Sequence, residues 1–485
     1  MNFSTAMRKS AHETHTENGQ YALNTSGDRL LDFYSVVGAL RDKDATRKAT
    51  LFADAYGEDK LLATKCLFYA RDIRGGLGER QTFRQLLRYA AVHHPEAIRE
   101  NIPLIPYYGR FDDLYVLEST PLEANMWATM KEIFEGDLKR MERDEPCSLL
   151  AKWLKSVDAS SKESRRLARK TAEQFSLTLI DYKKKVRSLR KHIDIVERRM
   201  SRGEWSSINY EAVPSRAAMI YRHAFARHDH ERYDAYINRA MNGETKINAD
   251  TLYPYDIIEK LFHNKSDPTL EALWKNLPSY VEPGTNAIVV ADVSGSMIWH
   301  DMRPLATSIG LAMYFAERNT GSFHNLFMTF SGDSSIEEVR GETLWQKLCS
   351  ISKAHWGGST NLEAAFKNIL LLAVENKVSQ EEMVKCIIII SDMEIDQCCS
   401  RDMLFYDHMR DVYRRHGYEM PNVVFWNVDS RNDVFHVDRN RKGVQLVSGQ
   451  SAATFKNVLS CIGMTPYQAM LEVLNSERYS PVVVK

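Results

Sequence analysis

Asp292, Ser294 and Ser296 are short oxygen-bearing side chains at alternate positions, directly after the apolar run Ala287 to Val290. A run of β-favouring residues that stops at such a turn reads as a buried strand delivering oxygens to its carboxyl end. Hard divalent cations take oxygen ligands, and one carboxylate with two hydroxyls supplies one face of an octahedral shell, leaving sites for water and an outside carboxylate or phosphate. Two further segments supply the same chemistry. The loop from Trp356 to Asn361 precedes a helical pattern and presents Thr360, and the apolar run Cys386 to Ile390 ends in Ser391 and Asp392. The predicted metal ligands are therefore Asp292, Ser294, Ser296, Thr360 and Asp392. The expected ion is Mg2+ or another divalent cation such as Ca2+ or Mn2+. Glu394 and Asp396 add negative charge beside the set, and Trp299, His300 and Asp301 are placed to gate it.

These residues need a scaffold that brings strand ends together. After Pro283 the chain alternates apolar strands (AIVVAD, FHNLFMTFS, KCIIIISDM, NVVFWNVD, VQLVSG) with helical patterns. Near-continuous apolar strands are buried on both faces, which predicts a parallel sheet covered by helices. In such doubly wound α/β sheets the ligand sits at the carboxyl ends of the strands. The expected domain runs over 284–475, with 476–485 as a tail. From about Leu30 to Leu277 apolar residues recur at helical spacing, as in LLDFYSVVGALR and MWATMKEIFEGDLKRM, with glycine and proline breakers between. Successive amphipathic helices without strands fit a HEAT-like solenoid over 27–280, with an irregular bundle as the alternative. The polar segment 1–26 reads as a flexible arm.

The 64 basic and 64 acidic side chains balance, so any electrostatic partner preference rests on local distribution. No apolar run reaches the ~20 residues of a membrane span and the first residues lack a secretory apolar centre, so the expected compartment is cytoplasmic, with no membrane partner. Seven scattered cysteines, none in a C-x-x-C spacing, indicate free thiols. Between Lys152 and Glu204 the charge reaches roughly +9. Its helical pattern carries Lys183, Lys184, Lys185, Arg187, Arg190 and Lys191. Upstream, Arg71, Arg74, Arg80 and Arg84 surround the glycine turn of RGGLGER, and Arg110 follows Tyr107 and Tyr108. That turn lacks the Gly-Lys-Ser/Thr of a phosphate loop and most simply ends one helix and starts the next. Arginines and tyrosines together also suit a phosphate-and-base surface, so all these cations are candidate RNA contacts.

The D-x-S-x-S segment with Thr360 and Asp392 resembles, in identity and chain order, the metal-ion-dependent adhesion site (MIDAS) of von Willebrand factor A domains. Met393 and Glu394 stand where many such domains have glycine after the last aspartate. The whole chain, a helical module with RGGLGER and IPYYGRFDDL joined to such a domain, resembles the Ro autoantigen (TROVE) family. It resembles more closely still an uncharacterised family of the same two modules. The first resemblance implies a ribonucleoprotein role: small noncoding or misfolded RNA on the helical module, and an acidic protein ligand completing the metal shell on the other.

The expected function is thus a non-enzymatic RNA-binding scaffold or quality-control protein. An adhesion-type site has no general base, and Ser331-Gly332-Asp333-Ser334 has no histidine partner to make it a hydrolase block. His223, His228 and His230 read as surface or capping residues. The alternative is a protein–protein interaction or assembly module with no nucleic acid. The two differ in whether the cations from Lys183 to Arg190 line a channel or pair with acidic helices.

Overall fold

The described residues 12–26 of the polar segment expected to be a flexible arm contain a hairpin. Strands β1 (Glu13–His15) and β2 (Tyr21–Leu23) pair antiparallel, Glu13 opposite Leu23. Its polar side chains bond to distant backbone: Thr16 Oγ1 donates to Ile395 O at 2.7 Å and Asn18 Nδ2 to Glu394 O at 2.7 Å. Tyr21 and Ala22 are buried. Low apolar content misread this segment because its order comes from hydrogen bonds rather than from a hydrophobic face.

The computed structural model describes residues 7, 12–330, 334–351, 361–397 and 403–485. They fall into two units, one made of Met1–Thr82 and Ala249–Tyr479, the other of Phe83–Asn248 and Ser480–Lys485. The division differs from a single helical domain over 27–280, because the first and last helices of that stretch pack with the α/β sheet. Helix Arg29–Val36 starts at Asp28, whose Oδ1 accepts from Leu31 N at 2.9 Å, a cap contributing about 1 kcal/mol. It buries Leu30, Leu31, Phe33 and Tyr34. After it, Gly38 lies so close to Gly449 that a Cβ would stand 2.7 Å from the Gly449 Cα. Helices Ala45–Glu58 and Lys60–Arg71 follow, capped by Asp44 and Asp59.

The second unit is helical. Its longer helices are Glu123–Glu142, Lys162–Gln174, Leu179–His192, Ser215–His228 and His230–Met241, with short 3-10 turns interspersed. The helical period of the sequence holds here: Tyr182, Val186 and Leu189 are buried along one face of Leu179–His192. Apolar contacts such as Phe134 against Phe175, ring centroids 4.9 Å apart, join neighbouring helices.

Back in the first unit, β3 (Ala287–Asp292), β4 (Leu326–Phe330), β5 (Ser334–Glu338), β6 (Cys386–Ser391), β7 (Asn422–Asn427) and β8 (Val444–Ser448) form one sheet in the order β5-β4-β3-β6-β7-β8. All neighbours are parallel except the edge strand β5, which runs antiparallel to β4. β5 escaped the sequence reading because SSIEE has no apolar run; its glutamates suit an exposed edge. Every residue of β3 and β6 is buried, as strands covered on both faces must be. Helices Trp299–Arg318, Leu362–Glu375 and Phe405–Arg415 lie between strands in the chain. Because β4 lies on one side of β3 and β6 on the other, the order reverses between β3 and β6, and a crevice opens at their carboxyl ends.

The expected tail is also structured. Arg478 pairs with Asp72, Nη2 to Oδ1 at 2.5 Å, and the buried Tyr479 donates its hydroxyl to Asp72 Oδ2 at 3.0 Å. Within the second unit, Asn101 exchanges two hydrogen bonds with the backbone of Val483.

Candidate metal centre and basic surfaces

β3 carries Asp292, fully buried, at its carboxyl end. Ser294 N donates to Asp292 Oδ1 at 2.9 Å, and Ser391 Oγ donates to Asp292 Oδ2 at 2.6 Å. The Ser294 and Ser296 hydroxyl oxygens lie 3.1 Å apart. Burial first, and then the neighbouring Asp392, pushes the Asp292 carboxyl up to about 7. Thus the structure brings Asp292, Ser294, Ser296 and Asp392 to the carboxyl ends of the neighbouring strands β3 and β6, while Thr360 lies outside the described residues.

Asp392 itself meets a cation of the chain. Arg431, in the loop after β7, places Nη2 2.9 Å from Asp392 Oδ2 and Nη1 2.7 Å from Glu17 Oε2. Glu394 is held close by: its Oε2 accepts from Glu17 N at 2.7 Å and its Oε1 from Asn432 Nδ2 at 2.9 Å. Burial raises the Glu394 carboxyl above its ordinary range. Glu17, Arg431 and Asn432 had no signal in the sequence, since a polar arm and a polar loop look alike wherever they occur. At the rim, Trp299 is exposed, and His300, Asp301 and Met302 form a left-handed turn with φ of 54°, 58° and 61°.

Among the described residues, no three His, Cys, Asp or Glu side chains gather as a metal set. The chemistry here is that of two carboxylates with hydroxyls. A buried carboxylate with hydroxyl and amide donors but no ion pair of its own suits a hard cation, so the residues present fit the expected ion.

The basic candidates divide by what holds them. Arg71, Arg74 and Arg80 lie in the first unit, Arg84, Arg110 and the Lys183–Lys191 group in the second. Arg71 is buried. The glycine turn beside it is structural: Gly78 has φ +67° and a Cβ there would meet the Tyr253 hydroxyl at 1.8 Å. Arg84 pairs with Asp113 at 2.6 Å and Asp112 at 2.7 Å. Arg110 pairs with Asp112 at 2.7 Å and lies over the Trp153 ring at 4.1 Å. Arg190 donates to Ala151 O and Leu154 O at 2.8 and 2.6 Å, a helix-tying role that leaves little of it for a ligand. Lys183 pairs with Asp158 at 2.6 Å. Lys184, Arg187 and Lys191 are exposed, Lys185 is half-buried, and none of the four makes an ion pair among the described residues. His228 stacks on Trp205 at 4.4 Å and His230 faces Asp234 at 3.1 Å, in keeping with surface roles. Ser331, Gly332 and Asp333 lie outside the described residues.

Residues 286–478 match a family described as Domain of unknown function (DUF7788). Residues 16–109 and 145–281 match a second, Domain of unknown function (DUF2828). The first match begins one residue before β3. The second begins at Thr16, between β1 and β2, and so includes only the second strand of the hairpin. Over 515 aligned residues the chain is 29% identical to "Uncharacterized protein L728" of Acanthamoeba polyphaga mimivirus, covering 98% of this chain and 89% of the relative. The crystal structure of the Deinococcus radiodurans RO (RSR) protein aligns over 91% of this chain and 93% of its own, with a TM-score of 0.39 and 12% identity. No helix among the described residues is long and apolar enough to cross a membrane.

Proposed function

We propose that this chain is a non-enzymatic, cytoplasmic RNA-binding protein, and that its α/β unit holds a divalent cation in an adhesion-type site for an acidic protein partner. The observation that carries the RNA reading is the solvent face of Leu179–His192. Lys184, Arg187 and Lys191 stand at i, i+3 and i+7, exposed and without ion pairs among the described residues, opposite the buried Tyr182, Val186 and Leu189. Such a row binds phosphates by charge and reads no sequence, which suits small noncoding or misfolded RNA.

For the α/β unit, Asp292, Ser294, Ser296 and Asp392 would hold the ion, which supplies an open coordination position for a partner's carboxylate. The chain's own residues orient that position: Ser391 and the Ser294 amide fix the Asp292 carboxylate, and the Glu394 amide donates to Asp392 Oδ1 at 3.1 Å. Hydroxyl ligands beside a carboxylate suit ligand bridging better than hydrolysis.

The test is an electrophoretic shift series with structured and single-stranded RNA across salt concentrations, run on the wild-type chain. Binding that weakens steeply with salt supports the reading, and its absence overturns it. A rival reading, an assembly module without nucleic acid, draws on Arg84 and Arg110 being paired internally. Partner capture lost on Asp292→Ala, from a sample that binds no RNA, would favour that rival.

A further inference from the structure

The four cations Arg410, Arg414, Arg441 and Lys442 line one open cavity of about 460 Å³, together with Tyr406 and Asp438. Arg410 and Arg414 stand one turn apart on helix Phe405–Arg415, and Arg441 and Lys442 lie in the loop that leads into β8. Both the end of that helix and this loop precede a strand, so the cavity belongs to the amino side of β7 and β8. The candidate metal ligands sit at carboxyl ends.

The cavity is built rather than merely charged. Asp407 bridges the two inner arginines, 2.9 Å from Arg410 and 3.0 Å from Arg441. Both guanidinium groups also lie near the Tyr406 ring, at 6.0 and 5.7 Å from its centroid. The Nε atoms of both arginines are buried without a hydrogen-bond acceptor, so one carboxylate satisfies only part of the pair. Arg414 and Lys442 are exposed and have no ion pair among the described residues. Four positive side chains thus face two carboxylates, Asp407 and Asp438, the latter 4.0 Å from Arg441.

We propose that this cavity binds the phosphate chain of a small di- or triphosphate. Guanidinium groups held in a fixed plane make paired, charge-assisted hydrogen bonds to phosphate oxygens, and a flexible lysine adds a point charge. The volume lies within the range of small-ligand sites, roughly 300–1,000 Å³. Tyr406 is largely buried, so the charged contacts of this cavity fall on the phosphates. This site is independent of the cation and RNA readings above.

The test is calorimetric titration of the full chain with pyrophosphate, ADP and adenosine at low ionic strength. The variant is Arg414→Gln with Lys442→Gln, two exposed positions whose change leaves the fold intact, checked by circular dichroism. Saturable one-site binding of pyrophosphate, weakened about tenfold or more in the double variant, is expected. Tighter binding of ADP than of pyrophosphate identifies a nucleotide as the source, and equal binding a free polyphosphate; adenosine stays unbound in both cases. No saturable pyrophosphate binding, equal affinity in the variant, or equal competition by sodium sulfate overturns the proposal. Loss of RNA binding in the double variant without pyrophosphate binding likewise overturns it, in favour of a nucleic-acid surface.

Discussion

Arg431 Nη2 lies 2.9 Å from Asp392 Oδ2, which places a tethered cation of the chain on one of the carboxylates expected to hold a metal ion. A bound ion and this guanidinium compete for the same oxygen. Arg431→Gln should therefore raise affinity for Mn2+ about tenfold, read by calorimetry or by electron paramagnetic resonance of free Mn2+. Equal affinity in both proteins would show that Arg431 does not compete, and no binding to either would remove the metal reading itself. Without metal the variant should be less stable by about 1–2 kcal/mol, a value reduced because the arginine is partly solvated.

His436 supplies a pH signature. Its ring is buried beside Phe425, its Nε2 lies 3.1 Å from Met393 O, and burial lowers its pKa to about 4. The unfolded chain binds this proton below about 6.5 while the folded chain stays neutral down to about 4. Stability is then full above pH 6.5 and falls as the pH drops from there to 4, by about 3 kcal/mol in total. Chemical denaturation at pH 7, 5.5 and 4.5 checks it; His436→Gln should flatten this part of the profile.

Two glycines should respond with opposite signs. At Gly38 a Cβ meets the Gly449 backbone at 2.7 Å, so Gly38→Ala should destabilise by about 1–3 kcal/mol. At Gly57, inside helix Ala45–Glu58, nothing lies within 4 Å, and Gly57→Ala should stabilise by about 0.5–1 kcal/mol. Urea melts of the two variants, compared at constant m-value, test the pair.

Lys184→Glu, Arg187→Glu and Lys191→Glu combined should weaken RNA binding and lower the salt slope of log affinity by about two, since each phosphate contact to a single strand contributes about 0.7. The melting temperature should hardly change, because all three side chains are exposed. An unchanged slope would place any RNA elsewhere on the chain.

The α/β unit was legible because its strands announce themselves. The β-branched run Ile387 to Ile390, bounded by polar residues, reads as a strand buried on both faces, and the oxygen-bearing residues after such a run lie at the strand's carboxyl end. Asp292 and Asp392 were therefore legible as residues at strand ends, and the structure shows those strands to be neighbours. Arg431 could not, because VDSRNDV has no pattern that reports which carboxylate its arginine will reach. The hairpin from Glu13 to Leu23 was hidden for a similar reason: its partners, Ile395 and Phe435, lie far along the chain. In the helical unit the period was visible, but the fate of each cation was not. Arg84 and Lys184 look alike in sequence, yet one is bound by Asp112 and Asp113 while the other faces solvent.

The hairpin also sets an order of events during synthesis. Thr16 bonds to Ile395 across 379 residues, so β1 and β2 leave the ribosome long before their partner loop exists. At about 5–20 residues per second that wait lasts roughly 20–80 s. The block Phe83–Asn248, continuous in the chain, is made within that interval, while the rest of its unit, Ser480–Lys485, comes last. The first unit, whose two segments flank that block in the chain, closes late, once Ile395 and Phe435 have been made.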